Sequence, residues 1–144
     1  MSGNNQNPYF DLHTNGFGLI NRTRLVTPKK GDPFYAVTIA ACRGDDGEKT
    51  YIDCKVVGKD AIALFKQHKL DSYDFSINGQ DRGSISFVIS DLYLETFTYP
   101  SNHSTKAGQF GAGLKGRLLS VKYLKVNDVV LLQSSASDDN QQAA

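Results

Sequence analysis

Three short stretches of strand character, Phe17–Val26, Phe34–Arg43 and Thr50–Val57, are followed by one compact amphipathic segment, Lys59–His68, and then by more strand-like sequence. This order constrains the fold more than any other feature of the chain. Strands joined by short turns pair as an antiparallel meander. A single helix of about ten residues spans only about 15 Å. It can close one end of a curled sheet and is too short to cover the face of a flat one.

The third stretch alternates most cleanly, with Ile52, Cys54 and Val56 set against Tyr51, Asp53, Lys55 and Val57, until Gly58 breaks it. In the second, Tyr35, Val37, Ile39 and Ala41 are bulkier than Phe34, Ala36, Thr38 and Ala40, and are expected to face inward. The first leaves its core face undecided. Phe17, Leu19, Asn21, Thr23 and Leu25 fall on one side, Gly18, Ile20, Arg22, Arg24 and Val26 on the other, and each side mixes apolar with polar groups. The connections Thr27–Pro33 and Gly44–Lys49 carry the glycine, proline and aspartate of turns. In the helix, Ala61, Ile62, Leu64 and Phe65 supply the apolar stripe.

Beyond the helix, Tyr73–Ile77 reads as a short strand before an Asn78-Gly79 turn. Ser84–Tyr99 is a long strand whose pattern starts with Ile85, Phe87 and Ile89 and then slips to Leu92 and Leu94. A slip of one residue in a period-two pattern predicts a bulge or sharp bend. Pro100–Lys106 reads as a loop, Gly116–Val126 as a strand and Val129–Leu132 as an added edge. The whole order predicts an all-β fold with one helix: a five-stranded OB barrel with a capping helix between strands 3 and 4. The expected organisation is a disordered N-terminal segment 1–8, one domain over 9–132 and a disordered polar tail 133–144.

Several function classes find no support. No apolar run approaches the ~18–20 residues that span a bilayer. Met1–Asn7 lacks the basic and apolar regions of a signal peptide, so a soluble cytoplasmic protein is expected. Cys42 and Cys54, without nearby histidines, make a poor metal site and are expected to be thiols. His13, His68 and His103 have no patterned acidic or nucleophilic partner, and the carboxylates mostly occupy turns. Gly111-Ala-Gly113-Leu-Lys-Gly116 matches a dinucleotide fingerprint in letters only, since that fingerprint must open a helix and Arg117–Val126 reads as strand. The glycines are expected to form a flexible loop. No catalytic residue, metal or cofactor is therefore predicted, and the chain is expected to be a binding protein.

Single-stranded nucleic acid is held by cations that track phosphates and rings that stack on bases. The chain offers both. Residues 12–132 contain all 16 Lys and Arg against 12 of the 15 acids, a mildly basic unit. Arg22, Arg24, Lys29 and Lys30 surround the first hairpin, Arg43 and Lys55 the second, and Lys115 and Arg117 lie late in the chain. Phe34, Tyr51, Tyr93 and Phe97 are the rings offered with them, and Tyr51 and Lys55 share the face of strand 3 opposite the apolar one. The stripe Tyr93, Glu95, Phe97, Tyr99 suits either a stacking platform or a subunit interface.

The segments GFGLINRTRLVTPKKGDPFYAVTIAACRG and TYIDCKVVGKDAIALF follow the layout of bacterial single-stranded DNA-binding proteins. With the late LKGRLLSVKYLKV, the chain resembles, over about residues 16–130, a family of OB-type replication proteins of integrating conjugative elements. That resemblance implies single-stranded DNA binding during replication or transfer of a mobile element, as a homo-oligomer, with replication or conjugation proteins as partners. It carries over to Arg22, Arg24, Phe34, Tyr51 and Lys55. The tail has only Asp138 and Asp139, lacks the acidic tip ending in proline and phenylalanine of housekeeping single-strand binders, and the chain has no tryptophan. The alternative is the same barrel serving as a protein-interaction module in such a complex.

Overall fold

In a computed structural model, which describes residues 11–45 and 47–133, the chain is mostly antiparallel β-sheet with one α-helix. The strands are β1 (His13–Val26), β2 (Phe34–Cys42), β3 (Lys49–Val56), β4 (Gly83–Thr98), β5 (Phe110–Val126) and β6 (Val129–Gln133). The helix α1 (Lys59–Gln67) lies between β3 and β4. The sheet order is β3-β2-β1-β4-β5-β6, and β3 also pairs with β5 in parallel, so that β1, β2, β3, β5 and β4 form a ring. No helix among the described residues is long and apolar enough to cross a membrane.

The core lies inside the ring. Val37 and Ile39 of β2, Ile52, Cys54 and Val56 of β3, Ile85, Phe87 and Ile89 of β4, and Leu118 and Leu124 of β5 are all buried there. Each fully buried side chain of this size contributes about 1.5–3 kcal/mol. The helix adds Ala61, Leu64 and Phe65, with Phe65 5.8 Å from the Tyr35 ring between centroids. Ile62, expected in the stripe, is exposed, because it stands one residue, about 100° of helix, from Ala61. A Cβ on Gly58, just before the helix, would collide with the Leu119 carbonyl oxygen, so only glycine lets the chain leave β3 so close to β5.

The undecided first strand is resolved by a bulge. The β1–β2 register shifts between Ile20 and Arg22, with Ile20 opposite Ile39 and Arg22 opposite Thr38. Before the shift, Gly18 and Ile20 are the buried positions; after it, Thr23 is, while Leu25 stays exposed at the end of the strand. Leu19 therefore shares the outer face with Arg22 and Arg24, although an unbroken period of two separates them. The slip expected in the fourth strand is also present, since the β4–β5 register shifts between Ser90 and Tyr93. Asp91, at the shift, has a left-handed φ of 56°.

Among the described residues the sixth strand, β6, is the added edge expected at Val129–Leu132; it returns on β5 through the left-handed pair Asn127 and Asp128, outside the ring of five. Other expectations are corrected. Gln133, assigned to the tail, belongs to β6; segments 1–8 and 134–144 fall outside the described residues. Tyr73–Ile77 is no strand. A single 3-10 turn, Leu70–Ser72, is followed by a loop whose carbonyls are gathered by Arg82, which donates to Ser76, Ile77, Gly79 and Asp81 at 2.7–3.3 Å. One guanidinium thus satisfies backbone groups that a strand neighbour would otherwise have to satisfy.

The glycine motif is strand, not loop: Gly111, Gly113 and Gly116 all lie in β5. Gly116 sits against the β4 bulge, where a Cβ would come within 2.5 Å of Ile89 Cγ2. From Glu95 opposite Gly113 to Thr98 opposite Phe110, β4 and β5 continue as a two-stranded arm beyond the ring.

Candidate functional site

The pairing register stacks the outward side chains of β1, β2 and β3 in rows. Leu19, Ala40 and Tyr51 form one row, Arg22, Thr38 and Asp53 the next, and Arg24, Ala36 and Lys55 a third. The first and third rows carry an alanine on β2. Strands lie about 4.8 Å apart, so the outer members of a row stand about 10 Å from each other. The alanines leave the floor between them open. Two clefts result.

The first, about 400 Å³, is lined by Arg24, Phe34, Ala36, Lys55, Tyr93, Lys115 and Arg117, together with Asp53 and Asp91. It collects six of the residues singled out from the sequence, drawn from five strands. The parallel β3–β5 pairing sets Lys115 beside Asp53 and Arg117 beside Lys55. The β4 bulge brings Tyr93 opposite Lys115. Lys55 Nζ lies 4.6 Å from the centroid of the Phe34 ring, so cation and ring meet face on.

Acids offset much of this charge. Lys115 Nζ donates to Asp53 Oδ2 at 3.1 Å and lies 3.6 Å from Glu95 Oε1. Arg24 Nη2 is 3.8 Å from Asp53 Oδ1, and Arg117 Nε is 3.6 Å from Asp91 Oδ2. The hydrogen bond to Asp53, aided by the negative charge of Asp53 and Glu95, holds the Lys115 ammonium above its usual range. These half-exposed pairs contribute about 0–1 kcal/mol each to stability. Among the described residues, Lys55 makes no ion pair.

The second cleft, about 520 Å³, lies across the Arg22 row and is lined by Leu19, Ala40, Lys49, Tyr51, Ile77 and Lys125 among others. Tyr51 and Lys55 do share a face, and they serve different clefts. Nothing in the sequence pairs Leu19 with Tyr51, because the β1 bulge hides their common face. Asp53 was legible as part of the Tyr51 and Lys55 face, but its place between Arg24 and Lys115 depends on the β3–β5 pairing.

The remaining candidates lie outside the clefts. Arg22 is exposed on the middle row, and Lys29 and Lys30 are exposed in the β1–β2 turn beyond Val26. Arg43 is engaged at the β2–β3 turn, where it pairs with Glu48 and donates to Thr50 Oγ1 at 3.4 Å. Phe97 is on the arm, edge-on to Tyr99 with centroids 5.1 Å apart, and Tyr99 packs on His103 and under Lys106.

No constellation of metal ligands is found among the described residues. Cys54 is buried, and burial, reinforced by the Asp53 charge, pushes its thiol up to about 12, so it is no nucleophile at neutral pH.

The model of a family described as "Protein of unknown function (DUF3577)" matches residues 3–140. The chain belongs to that family. No curated protein and no solved structure matches it. What the DUF3577 chain does must therefore be argued from the two clefts and their surroundings.

Proposed function

We propose that this DUF3577 protein is a non-enzymatic single-stranded DNA-binding protein, acting in the replication or transfer of a mobile element, and that its ring of strands is an OB barrel. The barrel assignment rests on the ring order β1-β2-β3-β5-β4, with a parallel β3–β5 closure and a helix after β3. OB barrels carry oligonucleotides on the strand 2–3 face and on the loops joining strands 1–2 and 4–5. Here those are the face with both clefts, the turn with Lys29 and Lys30, and the β4–β5 arm.

The observation that carries the function is the convergence of Arg24, Lys55, Lys115 and Arg117 with Phe34 and Tyr93 on one cleft. Four cations suit a phosphate backbone, and two rings suit stacking without sequence preference. A fluorescence-anisotropy titration at low salt, with a ~30-nucleotide single strand, tests this. Micromolar or tighter binding that weakens steeply with salt is expected. No binding overturns the function. Duplex DNA and RNA of equal length, run alongside, report the preference.

A second reading, a protein-interaction module, is favoured by the arm, where Phe97 is 40 % and Phe110 73 % exposed. The triple change Arg22→Glu, Arg24→Glu and Lys55→Glu separates the two. DNA binding through the face requires a loss of about a hundredfold or more, since each phosphate contact adds to the salt-dependent affinity. A module working through the arm is left intact.

A further inference from the structure

Among the described outward residues of β1, β2 and β3, Asp53 is the single acid, and it lies at the centre of the face. Its carboxylate is closely held. Oδ2 accepts from Lys115 Nζ at 3.1 Å, while Oδ1 accepts from Thr38 Oγ1 at 3.3 Å and faces Arg24 Nη2 at 3.8 Å. Two cations and a hydroxyl converging on two oxygens of one anion form the donor set that grips a phosphate. The half-exposed Asp53 side chain borders the cleft, so a phosphate can reach the same donors.

We propose that Asp53 is an internal competitor for phosphate: its carboxylate occupies the position of one backbone phosphate on this face and limits the affinity of the protein for single strands. A bound strand displaces the carboxylate from Lys115 and Arg24, or shares them with it against its charge. Binding is thereby held reversible by the protein itself, without a tail or partner. The inference rests on the single-strand reading and adds to it a named residue that opposes binding.

Asp53→Asn tests it, because asparagine keeps an acceptor for Thr38 and removes the charge. Removing a like charge a few ångströms from a phosphate is expected to tighten binding of a ~30-nucleotide strand about tenfold near 0.1 M salt. The salt dependence steepens by about one in slope, as the released cations gather counterions that DNA then frees. Asp53→Ser, equally uncharged, gives the same direction, and thermal melts establish that both variants are folded.

Wild-type binding with an unchanged or weaker variant overturns the proposal and leaves Asp53 as a residue that positions Lys115. Failure of both the wild type and the folded variants to bind overturns the single-strand reading instead. Binding by the variants alone supports both. In the unaltered protein, the carboxyl carbon resonance of Asp53 moves when the strand is added; a resonance that stays fixed while DNA binds also overturns the proposal.

Discussion

The two halves of β4 alternate alike in sequence and differ entirely in surroundings. Up to Ser90 the strand runs through the ring, with Ile85, Phe87 and Ile89 sealed in the core. From Tyr93 on it borders the first cleft, leaves Leu94 exposed at the rim of the ring and then forms the arm, where Phe97 and Phe110 are exposed. Between the halves stand the Asp91 bulge and Gly116 opposite it. Alternation makes a strand, and what lies across from it decides whether the strand is a wall of the core or a surface for something else. One bulge converts the first use into the second.

The largest expected effect probes that contrast directly. Ile89→Ala, in the sealed half, should lower stability by about 2–5 kcal/mol in a denaturant melt. Leu94→Ala should change it by no more than about 0.5 kcal/mol. Comparable losses would mean that the outer half of β4 packs on something and is no free surface.

A smaller effect is expected at the junction. Asp91 holds a left-handed conformation that a β-branched residue tolerates poorly, so Asp91→Val should cost about 1–2 kcal/mol. Asp91→Gly should be neutral or stabilising by up to about 1 kcal/mol, since glycine adopts this conformation freely. Equal effects of the two would show that the Arg117 ion pair, rather than the backbone, defines the bend.

The smallest effect at neutral pH concerns groups on either side of β3. The buried Cys54 keeps its proton up to about 12, whereas the unfolded thiol ionises near the ordinary 9.0. The folded state then binds more protons than the unfolded one, so stability present below pH 9.0 declines as the pH rises towards about 12. Lys115 acts with the same sign above the ordinary lysine value of 10.5, because its partners hold the proton on. Urea midpoints measured from pH 8 to 11 should fall in the wild type and fall less in Cys54→Ala. A parallel fall in both would place the alkaline loss elsewhere. At pH 8 a thiol reagent should label the exposed Cys42 quickly and Cys54 only on unfolding.

Much of the fold was legible because the inward sets on β2 and β3 alternate without interruption. The slip between Ile89 and Leu92 marked the bulge in β4 for the same reason. The loop at residues 73–77 was misread because its backbone is satisfied by Arg82, a side chain distant from any strand pattern. Strand β5 began earlier than expected because Phe110 to Gly113 pair with Thr98 to Glu95 of β4, a fact about β4 rather than about Gly111 or Gly113. The candidate cleft was legible as a set of residue types and not as a place.

The sequence by itself determined the strands β1 to β4, the one helix, and that cations and rings are left over once the core is filled. Those properties are local, set by side-chain period and turn chemistry. Tertiary structure alone decided which of the leftover groups meet. The bulge in β1 put Leu19 on the same face as Arg24, the parallel β3–β5 pairing set Lys115 against Asp53, and the bend at Asp91 carried Tyr93 to the cleft. Register and closure are relations between distant segments, so no single stretch of the chain can encode them alone.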